Sequence, residues 1–330
     1  AKELEEERRL CYVGMTRAQD KLFLTAADYY GEAKREKKHS PFIFEALGDD
    51  ALVKEQSLVA GEQLSFLDYS SKKSETSPKP QPLHVDYLSY SQIQTFEICP
   101  LHYKLRYILK VPTPPTAAQS IGTSVHNALQ KFYEAALAGK KVNKDFLMSK
   151  LEEEWVLEGF DSKTHEKQSF KKAERMLTDF FKNEFDPKRL PVSLEQLFKV
   201  PLKGDRPLMI GGKIDRVDAV GDTIEVIDYK TGERVPSQKD ADKDLQLTIY
   251  ALAATSVKTQ PFGKEAKDVK LTFHYLETGD KITTTRTAKE LEKAKEKILK
   301  VRVDIEKSDF ACSGHIFCNK CEYKMMCNVD

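Results

Sequence analysis

The sequence predicts an α/β domain preceded by an N-terminal segment of different character. Residues 211–230, GGKIDRVDAVGDTIEVIDYK, read as two strands joined at Gly221-Asp222. Helical periodicity precedes this hairpin over 121–133 and 143–186, and returns after it at 245–254 and 288–306. A second alternating pair, 269–275 and 281–285 around Thr278-Gly279-Asp280, extends the sheet.

In the first hairpin, alternation places residues 226, 228 and 230 on one face, so Asp215, Asp228 and Lys230 can meet at one point. Charged residues beside a hairpin usually lie in solvent and form weak pairs. Asp228, however, follows an apolar run at 224–227 broken only by Glu225, which suggests a strand near the core. A carboxylate there needs a partner or a metal. Hard oxygen ligands suit Mg²⁺ or Mn²⁺, and a neighbouring lysine can orient a water or offset charge developing on a phosphate.

At 330 residues the chain has room for two domains. With 53 Lys plus Arg against 52 Asp plus Glu there is no global positive charge, so any DNA contact must come from a local basic surface. No apolar run approaches the ~20 residues of a membrane span, and the N-terminal AKELEEERR is no signal peptide. A cytoplasmic location and no membrane partner are expected. Of six cysteines, four fall in 312–330, a crowding that points to a metal or cluster rather than a disulfide scaffold.

Residues 3–25, ELEEERRLCYVGMTRAQDKLFLT, predict a helix, a loop and a short strand at 21–25. The stretch resembles the last motif of UvrD/Rep-type superfamily 1 helicases, which closes their second RecA-like domain. The resemblance implies that Arg17 contacts nucleotide phosphate in an intact helicase, a role suited to a guanidinium. No Gly-x-x-x-x-Gly-Lys-Ser/Thr loop occurs in the chain. ATPase activity is therefore not expected from this chain alone, and residues 1–50 read as the end of a helicase domain, the chain being part of a larger protein. The 40–47 stretch predicts a short terminal helix. Residues 51–86, rich in Ser, Lys, Glu and Pro, predict a flexible linker, with 64–67 as an apolar patch able to dock on a neighbour. A third region, 87–330, follows.

From Tyr87 the pattern predicts a helix capped by Ser89-Tyr90-Ser91, with Cys99 in its middle, followed by Pro100 and a basic-aromatic run. The proline-rich stretch 111–115 leads to the next helix. Gly122 is expected at that helix's start, admitting a close backbone, with His126 one turn later. Phe146, Leu147, Leu151, Trp155, Phe160, Phe170, Met176, Leu177, Phe180 and Phe181 read as core. Gln246 and Tyr250, four apart, share a helix face. At the tail, Cys318-x-x-Cys321 and Cys327 can wrap one metal centre, whose fourth thiolate is Cys99 or, for a local zinc site, Cys312.

In order along 87–330, Cys99-Pro-x-x-Tyr103-x-x-x-Tyr107, Gly122-x-x-x-His126, Asp215, Asp228-Tyr229-Lys230, Gln246-x-x-x-Tyr250 and the cysteine triplet resemble the RecB/AddB-type PD-(D/E)XK nucleases. The resemblance implies a restriction-endonuclease-like mixed sheet flanked by helices. It implies Mg²⁺ or Mn²⁺ held by His126, Asp215, Asp228 and the Tyr229 carbonyl, with Lys230, Gln246 and Tyr250 as further catalytic residues. It also implies a 4Fe-4S cluster on Cys99, Cys318, Cys321 and Cys327, with zinc as the alternative, and as partners DNA, single-stranded or with unwound ends, and the remainder of a superfamily 1 helicase acting in repair or recombination. The alternative is a catalytically silent DNA-binding or docking module.

Overall fold

A computed structural model describes residues 83–314 continuously, with 318 and 321–327, and near the N-terminus 7, 8, 11, 12, 14, 15 and 40–47. The chain divides into two units, Ala1–Pro80 and Gln81–Asp330. In the first, helix α1 (Pro41–Leu47) forms where a short helix is expected, and Glu45 receives the Arg8 guanidinium at 2.7 and 3.1 Å. Arg17, the strand at 21–25, most of the linker and the 64–67 patch lie outside the described residues.

The second unit is built on a six-stranded mixed sheet. Its centre is β3 (Leu208–Val220), paired antiparallel along one edge with β2 (Ser193–Leu202). The opposite edge is shared: β1 (Tyr87–Ser89) runs parallel to Met209–Gly211, and β4 (Thr223–Lys230) pairs antiparallel from Arg216 onward. Between these two partners, at residues 212–215, that edge of β3 has no ladder neighbour. β4 then pairs in parallel with β5 (Val269–Tyr275), which pairs with β6 (Lys281–Thr284). Gly221, at φ +61°, makes the tight turn between β3 and β4.

Helices cover both faces. On one lie α4 (Ala117–Leu137), α5 (Lys144–Glu153) and α6 (Lys163–Asn183), whose Leu129, Phe132, Leu147, Leu151, Leu177 and Phe180 pack with Ile227 and Tyr229. Phe146, Trp155, Phe170 and Phe181 join this core partly buried. On the other lie α2 (Tyr90–Ile98), α8 (Leu245–Ser256) and α9 (Ala288–Lys307), packed on Ile210, Ile214, Val226 and Leu271. Fully burying each such aliphatic or aromatic side chain is worth roughly 1.5–3 kcal/mol. The four-residue helix α7 (Gln238–Ala241) precedes α8.

Three expectations are corrected. Tyr87–Ser89 is a strand, and the helix begins only at Tyr90, with Ser89 Oγ accepting from the Gln92 amide at 3.3 Å. Cys99 is not mid-helix: it is extended (φ −155°, ψ 111°) between α2 and α3 (Pro100–Tyr103). Pro100 forces this break, because it bars the residue before it from helical geometry. Gly122 is not at a helix start: α4 begins at Ala117 behind a Thr116/Gln119 capping box. A side chain on Gly122 would meet only Thr231 Oγ1 at 3.5 Å, an ordinary contact. A glycine near the site that does admit a close neighbour is Gly211, where a Cβ would come within 2.7 Å of the Tyr87 ring and 2.9 Å of the Phe198 carbonyl.

Candidate active site at the split between two strands

Beyond Ile227, β4 leaves the β3 ladder while keeping its pairing with β5. Asp215 spans the resulting gap, its Oδ2 accepting the Tyr229 amide at 2.9 Å. Strand alternation slips at the same point, since Ile214 and Val217, three apart, bury in one core. Across the β2–β3 ladder, Glu195 sits opposite Asp215 in a left-handed conformation, φ +49°.

His126, carried on α4, closes the gap from the helical face. Its Nε2 lies 3.0 Å from the Tyr229 carbonyl and its Nδ1 3.4 Å from Asp215 Oδ2. Burial by itself lowers the imidazole's basicity, but the Asp215 carboxylate outweighs it and holds His126 above the ordinary value. Burial likewise works against the charge of Asp215, and His126 and the Tyr229 amide overcome it, leaving the carboxyl below its usual range.

Asp228, lining the same cavity as these groups, is held by a different set of partners. Its Oδ1 accepts from Tyr250 Oη at 2.8 Å and Gln246 Nε2 at 2.9 Å, while Lys230 Nζ stands 2.7 Å from Oδ2. Gln246 Oε1 in turn accepts from Lys230 at 2.9 Å, and Lys230 lies 4.8 Å from the centre of the Phe273 ring. Residues 226, 228 and 230 thus share a face, and one turn of α8 supplies both hydrogen-bonding partners of Asp228. Burial pushes the Asp228 carboxyl up, with the Lys230 ammonium opposing it.

These groups line one cavity of about 490 Å³, walled also by Tyr90, Phe198, Gly211 and Gly212. The structure brings together His126, Asp215, Asp228, Tyr229, Lys230, Gln246 and Tyr250. The three donors gathered within 4.8 Å of one another are those of His126, Asp215 and Glu195. Glu195 carries no signal in sequence: it is one acid in an alternating strand, and only the fold sets it against Asp215. The donor set fits a hard divalent cation, being one imidazole, carboxylates and a carbonyl. Asp228 Oδ2, buried and without a hydrogen bond of ordinary geometry, meets only the lysine charge.

Behind the site, on the α4–α6 side, Arg216 donates to both oxygens of Asp218 at 2.6 and 2.7 Å, to the Tyr133 hydroxyl, and to Tyr229 Oη at 3.3 Å. The Tyr229 side chain is therefore anchored at its tip while its backbone faces His126 and Asp215.

A second cluster forms at the α2–α3 break. Cys99, Cys312, Cys318, Cys321 and Cys327 lie near one another here, and Cys321 Sγ stands 4.0 Å from His102 Nδ1. All five are free thiols. The predicted Cys99, Cys318, Cys321 and Cys327 lie in one neighbourhood with Cys312, but among the described residues the donors gathered there within 4.8 Å of one another are those of His102, Cys321 and Glu322. The C-terminal segment is clasped there by Tyr323 Oη donating to the Val111 carbonyl at 2.9 Å, by Glu322 against His102 at 3.3 Å, and by Phe310 stacked on Tyr103.

The Asp, the Asp-x-Lys and the helical histidine that meet where the sheet splits are the residues on which the resemblance to PD-(D/E)XK nucleases rests. The model of the PD-(D/E)XK nuclease superfamily matches residues 87–328, and the chain belongs to that superfamily. Residues 1–29 match the UvrD-like helicase C-terminal domain. A curated relative, one subunit of the ATP-dependent helicase/deoxyribonuclease of Alkaliphilus oremlandii (strain OhILAs), is 25% identical over 253 residues, covering 65% of this chain and 22% of that protein. The crystal structure of SSO0001 aligns with 69% of this chain and 94% of its own at 14% identity and a TM-score of 0.31, a likeness too slight to inform the site. Among the described residues no helix is long and apolar enough to cross a membrane.

Proposed function

We propose that this chain carries the metal-dependent DNA nuclease of a helicase-nuclease acting in DNA repair or recombination. The observation that carries the reading is the convergence of His126, Asp215, Asp228 and Lys230 on one cavity. In this reading His126, Asp215, Asp228 and the Tyr229 carbonyl hold Mg²⁺ or Mn²⁺. The cation supplies the Lewis acid that polarises a phosphate and acidifies a water.

The chain's own residues do the rest. Lys230, held by Asp228 and Gln246, presents an ammonium that orients the attacking water or offsets charge on the phosphate. Gln246 and Tyr250 fix the Asp228 carboxylate, and Asp215 fixes the Tyr229 backbone. Tyr90, partly exposed at the cavity, offers an aromatic face on which an unpaired base can lie, which suits a single strand or an unwound end.

Residues 1–50 are proposed as the end of the helicase domain, with Arg17 contacting nucleotide in the intact enzyme. Residues 51–86 are proposed as the tether and 87–330 as the nuclease. Four cysteines, Cys99, Cys318, Cys321 and Cys327, are proposed to hold a 4Fe-4S cluster, with zinc as the rival occupant. The test is cleavage of end-labelled single- and double-stranded DNA by the full chain in Mn²⁺, with and without chelator. Chelator-sensitive cleavage favouring single strands is expected. DNA binding without cleavage would instead identify a silent docking module.

A further inference from the structure

We propose that Glu195 is a further carboxylate ligand of the divalent cation that His126 and Asp215 hold. The proposal rests on the metal site assigned above and adds a ligand from β2, a strand to which no metal role has been attached. Four observations converge on it. The donor atoms of Glu195, His126 and Asp215 lie within 4.8 Å of one another. A cation bonded to two oxygens at about 2.1 Å holds them at most about 4.2 Å apart, so little closing is needed. Glu195 is opposite Asp215 in the ladder, between the pairs Leu194–Arg216 and Gln196–Ile214. It adopts φ +49° within an otherwise extended strand, a conformation costly for a long side chain and the point at which alternation along β3 slips.

Burial supplies the electrostatic reason. The Glu195 side chain is 11% exposed and that of Asp215 8%, so two carboxylates are sequestered side by side. Such a pair repels unless positive charge lies between or beside it. Lys213 supplies some, pairing with Glu195 from a side chain that is half exposed. A divalent cation shared by both carboxylates neutralises them at one point and leaves Lys213 to solvent.

The test is Mn²⁺ affinity of the full chain, read from the loss of the free-Mn²⁺ EPR signal, with circular dichroism melts as the check on folding. Glu195→Gln, nearly isosteric, is expected to weaken binding at least tenfold with the melt little changed. Glu195→Asp keeps the charge and tolerates the left-handed backbone better but shortens the reach, and is expected to weaken binding severalfold. If both variants bind Mn²⁺ within twofold of the parent while Asp215→Asn loses it, Glu195 is only the partner of Lys213 and the proposal is overturned. An Asp variant equal to the parent beside a weakened Gln variant reduces Glu195 to a distant charge, which also overturns it. A parent chain that binds no Mn²⁺ is a different failure, because it removes the metal site itself.

Discussion

Asp228 meets opposite demands at its two oxygens. Oδ1 is saturated by Gln246 and Tyr250, whereas Oδ2 faces the Lys230 charge alone. In the proposed mechanism, removing either member of the Asp228–Lys230 pair deletes a group that acts on the phosphate, without opening the core around α8. Asp228→Ala and Lys230→Ala are each expected to cut DNA cleavage by roughly 10²–10³-fold or more, while gel shifts and melts stay near the parent. Cleavage at parental rates by both variants would sink their assigned roles. A different residue contributes to acid sensitivity. His274, buried against Phe180 and Tyr229, is held by burial at about 4 against an ordinary 6.5. Between those values the unfolded chain binds more protons than the folded one, so stability is full above 6.5 and falls as pH drops toward 4. His274→Gln should flatten that part of the curve in urea melts across pH; an unchanged slope would show that other groups set it. Asp228 and Lys230 were legible in the sequence because an apolar run leads into them. Glu195 was not, since neither its left-handed backbone nor its place opposite Asp215 leaves any trace in composition or period.

At the scale of elements, α8 has to present Gln246 and Tyr250 at a fixed height, and Arg286 sets that height. Its guanidinium, 3% exposed, donates to the carbonyls of Ala241 and Asp244 just before α8, to Thr248 Oγ1 within it, and to Thr284 Oγ1 and the Thr285 carbonyl at β6. Arg286→Ala leaves several buried acceptors unpaired and is expected to cost about 3 kcal/mol, measured in denaturant melts. Arg286→Lys should recover only part of this, because an ammonium cannot reproduce the planar fork. Full recovery would mean that charge, not geometry, holds the junction. The long elements were legible from their periodicity, down to the β3–β4 turn. The three-residue strand β1 was not: it is too short for alternation to register, and its pairing with Met209–Gly211 depends on chain more than a hundred residues away. The break at Cys99 was announced by Pro100, whose restriction on the preceding residue outweighs the helical pattern around it.

At the scale of the whole second unit, Tyr323, Glu322 and Phe310 tie the C-terminal segment to the α2–α3 region, and the proposed metal centre would add a covalent link there. A centre bridging Cys99 to the tail closes a loop of over two hundred residues, and metal bound only by the folded arrangement adds its binding energy to folding. Anaerobically purified protein is expected to be brown, and Cys321→Ser to lose colour and thermal stability together. Colourless protein with stoichiometric zinc would assign the cluster to zinc instead. The order of motifs along the chain was legible before any geometry. The placing of Cys312 beside the other thiols was legible only as the alternative to Cys99, because its nearness in sequence argued for a local site and the resemblance for the distant cysteine. The central claim is that the split between β3 and β4 is the cation site, and Mn-edge anomalous diffraction from crystals grown with Mn²⁺ tests it most directly. The account predicts a peak in the cavity bounded by His126, Asp215, Asp228 and the Tyr229 carbonyl. A peak confined to His102, Cys321 and Glu322, or none in that cavity, would contradict it.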